Sequence, residues 1–103
     1  MCPLFCAVAA LSAAEDMPKN QTAERFQAAS RQELQLQYLL YLPKEYPGDR
    51  EARWPLVLYL HGSGERGSNV ARVAVHGPPK LVKHGTNYPF VLVSPQCPSG
   101  RIW

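Results

Sequence analysis

Residues 55 to 67 read Pro-Leu-Val-Leu-Tyr-Leu-His-Gly-Ser-Gly-Glu-Arg-Gly. The apolar run stops abruptly at His61-Gly62. A short run without alternation suits a strand buried on both faces, as in parallel sheets. The glycines at 62, 64 and 67 are expected to turn the chain sharply by visiting φ > 0. A tight turn at the C-terminal end of such a strand aims backbone N–H groups into the crevice where α/β proteins bind ligands. Donors placed there can hold a developing oxyanion in acyl transfer. On spacing alone, a plain glycine turn capped by His61 is an equal reading. A phosphate-cradling loop would need Gly-Lys-Ser/Thr, which is missing. No further ligands accompany His61, so no metal site is nominated.

Working outward, residues 89 to 94 (Pro-Phe-Val-Leu-Val-Ser) repeat the apolar pattern and stop at Pro95. Between the two runs, residues 79 to 84 fit a short helix. Pro78 and Pro79 suit its start and Gly85 its C′ position. Strand, loop, helix and strand make a βαβ unit. Upstream, residues 33 to 42 begin with strict alternation. Leu34, Leu36, Tyr38, Leu40 and Leu42 share one face, and Glu33, Gln35 and Gln37 the other. Period two predicts a half-buried strand, ended by Pro43. Residues 26 to 30 read as a short partner strand, and 43 to 54 as an exposed connection. The fold class is α/β, with three to four strands and one crossover helix.

The chain has 103 residues, enough for one small domain. Its net charge of +3 comes from scattered basic residues. Nucleic acid is excluded as a partner, because phosphate affinity needs a concentrated basic face. Cys2, Cys6 and Cys97 form no CxxC pair and no zinc-finger spacing. With Cys2 and Cys6 in an N-terminal stretch expected to be removed, Cys97 reads as a partly buried, lone small thiol. No cofactor is implied. Residues 1 to 14 read as a signal peptide. The apolar run from Pro3 is too short for a stable membrane span, and Ser12 and Ala14 are spaced like a peptidase site. No Lys or Arg precedes the run. A secreted or periplasmic location follows as the expectation. Residues 15 to 30 read as a polar leader containing the sequon Asn20-Gln21-Thr22, and residues 31 to 103 as the domain.

Strand-His61-Gly62-Ser63-Gly64-Glu65-Arg66-Gly67 resembles the oxyanion loop of the α/β-hydrolase superfamily. It is most similar to the phospholipase/carboxylesterase branch, with its secreted "predicted peptidase" esterases. Tyr41-Leu42-Pro43, His76-Gly77-Pro78-Pro79-Lys80-Leu81 and Val93-Ser94-Pro95-Gln96-Cys97-Pro98 match in the same order. The likeness runs over residues 33 to 103 and implies the N-terminal part of an α/β-hydrolase sheet. It also implies that the Ser63 backbone N–H is one oxyanion donor, while the Ser63 hydroxyl is not the nucleophile. Gly62 and Gly64 would shape the turn. His61 would support the loop rather than act as base. Glu65 and Arg66 either brace the loop as an ion pair or are two solvated charges. His76 and His84 read as surface or helix-end residues.

The superfamily's nucleophile sits on Gly-x-Ser-x-Gly, followed by an acid and a His. None of Ser12, Ser30, Ser63, Ser68, Ser94 and Ser99 has glycine at both −2 and +2. The only aspartates, Asp16 and Asp49, precede the loop. The chain is therefore expected to be an incomplete hydrolase, inactive alone, whose completed form takes a small ester. The alternative is a small secreted binding module derived from a hydrolase fold. In either case the strand at 55 to 60 is expected to present an open apolar edge, a route to self-association.

Overall fold

In the computed structural model, which describes residues 17–28 and 31–103, the alternating segment becomes the longest strand. The strands are β1 (Thr22–Ala28), β2 (Arg31–Tyr41), β3 (Leu56–Leu58) and β4 (Val91–Pro95). Among the described residues one α-helix, α1, spans Gly77–Lys83, and 3₁₀ segments occupy Ser63–Glu65 and Val70–Val75. The sheet order is β1-β2-β4-β3. The β1/β2 and β2/β4 pairs are antiparallel, and β3/β4 is parallel. The expected crossover is thus the β3–α1–β4 unit, and β3 lies at a sheet edge.

Two boundaries differ from the sequence reading. The partner strand starts at Thr22, so much of the polar leader is sheet and the domain begins well before residue 31. Its side chains from Thr22 to Gln27 are exposed, which explains why no apolar pattern marked it. The run at 55 to 60 gives only a three-residue strand. Its ladder continues to the Tyr59 N–H, which donates to the Val93 carbonyl at 2.9 Å. It stops there because Pro95 has no N–H to donate back. The signal-peptide reading of residues 1 to 14 lies outside the described residues.

The helical layer covers the face of β2 opposite to the one expected. Leu39 and Tyr41 are buried, whereas Leu36, Tyr38 and Leu40 are half-buried. The cause is the run Tyr38-Leu39-Leu40-Tyr41, which is apolar on both faces. Likewise β3 is not buried on both faces. Val57 is half-buried, but Leu56 and Leu58 are 69% and 60% exposed. Leu56 and Leu58 register with Val91 and Val93, and Val93 with Leu40, so these residues share one uncovered face.

On the covered face, Leu39 packs with Val70, Val73 and Ala74, and Tyr41 with Val82 and Leu92. Tyr59 packs against both groups and joins them into one core. Each fully buried aliphatic side chain contributes roughly 1.5–3 kcal/mol. The Tyr41 hydroxyl also accepts from the Tyr88 N–H at 2.9 Å and donates to the Asn87 side chain, fixing the turn into β4.

The ends of α1 follow their residues. Gly77 has φ +67, and a Cβ there would meet the Tyr59 ring at 2.6 Å, so only glycine brings the helix this close to β3. Pro78 and Pro79 occupy the first turn, where a missing N–H costs nothing. At the other end, Gly85 (φ +106) donates to the Val82 carbonyl and Thr86 to the Leu81 carbonyl. This pair of bonds is a Schellman ending. The Val82 carbonyl also accepts from the Asn20 side-chain amide at 3.2 Å, so the sequon asparagine engages α1.

Candidate functional site

The segment His61–Gly67 leaves β3 and enters the 3₁₀ turn Ser63–Glu65. His61 is 3% exposed, and both ring nitrogens are engaged. Its Nε2 accepts from the Cys97 N–H at 2.9 Å, which requires a lone pair there and leaves the proton on Nδ1. Nδ1 then donates to the Gly62 carbonyl. An imidazole held at both nitrogens has no lone pair free for substrate. His61 therefore ties the Gly62 carbonyl to the Cys97 N–H.

The Cys97 contact extends the sheet beyond its last pair. The Val91 N–H donates to the Pro55 carbonyl, and the Cys97 N–H reaches the His61 ring across the same separation of 36 residues. With Pro95 unable to donate, the imidazole stands where the next ladder carbonyl would accept.

Carbonyls and N–H groups of the loop have different fates. The His61 carbonyl accepts from Trp103 Nε1 at 3.1 Å, and that of Gly62 from the Glu65 N–H as well as from His61. The Ser63 carbonyl accepts from Arg66 Nε and the Gly64 carbonyl from Arg72 Nη2, each at 3.0 Å. Gln96 Nε2 donates to the Glu65 carbonyl at 2.9 Å and to Asn69 at 2.8 Å. Every carbonyl from His61 to Glu65 thus has a donor from the chain itself.

The Gly62 N–H donates to Glu65 Oε1 at 3.2 Å. The Ser63 and Gly64 N–H groups, at the start of the 3₁₀ turn, have no intrahelical acceptor, as at any helix start. No acceptor among the described residues meets them. The loop therefore has its carbonyls engaged and two backbone donors without an acceptor among the described residues, and donors of this kind are what an oxyanion requires. The cationic heads of Arg66 and Arg72 add positive potential to it.

Two loop expectations change. Of the three glycines, Gly67 alone has positive φ (+141); Gly62 is extended and Gly64 is not left-handed. A Cβ at Gly64 would meet nothing within 4 Å, and one at Gly62 would lie 3.8 Å from Glu65 Oε1. Folding does not demand glycine at either position. Glu65 and Arg66 brace the loop through backbone groups, Glu65 at the Gly62 N–H and Arg66 at the Ser63 and Arg101 carbonyls.

Sequence reasoning assigned no role to Gln96, Arg72 or Trp103, and none to the Cys97 backbone. Gln96 and Cys97 lie in a stretch quoted for the resemblance, so their position was visible while their purpose was not. The side chain of Gln96 is 2% exposed and ties the 65–69 segment to the end of β4. Cys97 is a free thiol, buried more fully than expected. His76 and His84 are exposed caps of α1.

Trp103 also contacts His61 edge-on, with ring centroids 5.3 Å apart. A shallow cavity of about 170 Å³ is lined by His61, Gly62, Ser63, Arg66, Cys97, Ile102 and Trp103. Among the described residues no group of three or more His, Cys, Asp or Glu is arranged to hold a metal. No helix there is long and apolar enough to cross a membrane.

No protein-family model matches the chain, and no curated protein matches it. A solved structure described as a thermostable esterase is similar over 84% of this chain, with a TM-score of 0.61 and 25% sequence identity. The chain spans 24% of that protein's length. With its mixed sheet order and single crossover helix, the chain has the fold of part of an α/β-hydrolase sheet.

Proposed function

We propose that this chain supplies the oxyanion loop of a serine-type carboxylic-ester hydrolase, of the phospholipase/carboxylesterase kind. One observation carries the reading: all loop carbonyls from His61 to Glu65 are occupied, while the Ser63 and Gly64 N–H groups meet no acceptor among the described residues and Ser63 lines a cavity. In acyl transfer the substrate carbonyl oxygen gains negative charge as the tetrahedral intermediate forms. The Ser63 N–H stabilises that charge, and the bracing around it removes the cost of reorienting the donor. A single donor of this type contributes about 10²–10³ in kcat. The description of the structural neighbour as an esterase favours ester over amide substrates.

The other half of the chemistry is a nucleophile, and no serine of this chain lies in Gly-x-Ser-x-Gly. Ser94 is fully buried on the covered face, and Ser63 serves through its backbone. We assign the nucleophile, its base and the second donor to polypeptide outside these residues, so the chain alone has no covalent route. Export to a secreted or periplasmic location belongs to the same proposal, supported by the apolar run from Pro3 to Ala14.

Nucleotide sequence downstream of codon 103 is the first test. A frame continuing to Gly-x-Ser-x-Gly supports the proposal, and a stop followed by unrelated sequence overturns it. A short-chain aryl ester is the second. The purified 103-residue chain should not turn it over, and turnover insensitive to serine-reactive inhibitors would contradict the mechanism.

A further inference from the structure

We propose that the cleft between the β1–β2 ribbon and residues 67–70 binds a carboxylated sugar, with Arg25 holding the acid group. The cleft shares no lining residue with the cavity at Ser63. Three observations converge. The first is a change of chemistry along one sheet face. Leu39 stands opposite Ala23 and packs with Val70 and Val73. Next along that face, Gln37 stands opposite Arg25, and then Gln35 opposite Gln27. The floor thus passes from aliphatic to amide and guanidinium beyond the helical segment that begins at Val70.

The second is a bridge across the cleft. The Gln37 amide, turned to satisfy both neighbours, accepts from Arg25 Nη2 and donates to the Ser68 carbonyl, each at 3.3 Å. Hollows of about 340 and 290 Å³ are both lined by Arg25, Gln37 and Ser68. The larger also takes in Asn69, and the other Gln35. A cavity of about 150 Å³ admits benzene, so either hollow has room for a sugar ring.

The third is unpaired polarity. No carboxylate among the described residues pairs with Arg25, and the Ser68 hydroxyl has no partner there. Glu24 borders the larger hollow, but the register sets it opposite Tyr38 on the other face, and it accepts from Thr22 Oγ1 at 3.1 Å. A planar guanidinium matches a carboxylate with parallel N–H donors. Side-chain amides and a hydroxyl offer donors and acceptors side by side. The vicinal hydroxyls of a sugar answer both, whereas a simple anion answers only the donors. A carboxylate and hydroxyls on one compact ring describe a uronic acid, free or as a unit of an acidic polysaccharide.

The test titrates the 103-residue chain with glucuronate, glucose, acetate and the dipeptide diglutamate. The readout is the ¹⁵N–¹H shift of Arg25 Nε–H, the Gln37 side-chain amide and the Ser68 N–H. Glucuronate should bind about five- to tenfold tighter than glucose, the contribution of a charge-assisted pair with Arg25. It should also bind tighter than acetate, which has no hydroxyls. The margin over glucose should shrink as salt rises, because Arg25 is exposed. Arg25→Gln should abolish that margin and leave both the glucose response and the rest of the spectrum. Ser68→Ala should weaken glucose and glucuronate alike and leave acetate. Digalacturonate against galacturonate separates the sources: tighter binding of the dimer supports a polysaccharide, and equal binding a free sugar acid. Acetate as tight as glucuronate reduces the cleft to a plain anion contact and overturns the proposal. Diglutamate tighter than glucuronate overturns it in favour of an acidic peptide. A glucuronate margin that survives Arg25→Gln, or silence of all the signals, overturns it outright.

Discussion

One face of the sheet carries Leu39, Tyr41, Val57, Tyr59 and Leu92; the other carries Leu36, Tyr38, Leu40, Leu56 and Leu58. The two are similarly apolar, yet only the first is packed. Val70, Val73, Ala74 and Val82 lie over it, while Leu56, Leu58 and Leu60 remain 48% to 69% exposed. Every element between β3 and β4 that the chain possesses has gone to one side. That side also holds the loop's bracing, because Val70 begins one residue after Asn69, whose carbonyl Gln96 grips. Loop support and core thus share a face, and the other face contributes apolar surface without packing.

This contrast is open to direct attack. Leu39→Ala should lose about 2–5 kcal/mol by denaturant unfolding, the cost of a cavity in a filled site. Leu58→Ala should change stability by no more than about 0.5 kcal/mol. Equal losses would mean that the two faces are equally packed. Gly77→Ala follows at roughly 2–4 kcal/mol, because its Cβ drives into Tyr59 and its φ of +67 is strained for alanine. Tyr59→Ala in the same background should recover the steric part of that loss, and no recovery would place the strain elsewhere. Gln96→Leu should cost about 1–3 kcal/mol by stranding two carbonyls. Hydrogen exchange should quicken at Gly62 to Gly67 while β1 and β2 keep their protection.

The uncovered face predicts behaviour rather than stability. The chain made alone should self-associate through β3, whose edge carries Leu56 and Leu58 with no charged residue between them. Leu58→Lys should leave unfolding within about 0.5 kcal/mol and shift sedimentation toward monomer. A wild-type chain that sediments as a monomer at all concentrations would remove the edge from consideration.

The smallest effect is alkaline. Burial, and then the nearby Glu65 carboxylate, push the Tyr59 hydroxyl above its ordinary value of 10.0. Folding favours the neutral phenol, so its contribution is complete below 10.0 and declines as pH climbs through the raised folded value. Tyr59→Phe should flatten that part of the stability profile, and an unchanged slope would assign it to another group.

The sequence made the crossover unit legible because its signals are local. Two apolar runs, a Pro-Pro start and a Gly85 stop need no tertiary information. The choice of covered face was not local. Tyr38 to Leu42 offers apolar residues to both sides, and only the position of Val70 to Val82 in space selects between them. β1 escaped for the opposite reason, since its exposed side chains carry no burial pattern. In the loop, the turn that follows the strand was readable from His61-Gly62. Gln96, Arg72 and Trp103 act through backbone carbonyls many residues away, and no spacing rule connects a side-chain amide to such an acceptor.

The shared separation of 36 residues makes the stretch between β3 and His61 a constraint of length. Tyr59-Leu60 acts as a gauge against the end of β4: it carries His61 as far forward as Ser94-Pro95 carry Gln96 and Cys97. A single residue inserted or deleted at Leu60 would leave every paired residue of the sheet in register. It would also shift the imidazole away from the Cys97 amide and the loop away from the Gln96 side chain in one stroke. The identity of residue 60 can drift, but the residue count before His61 cannot.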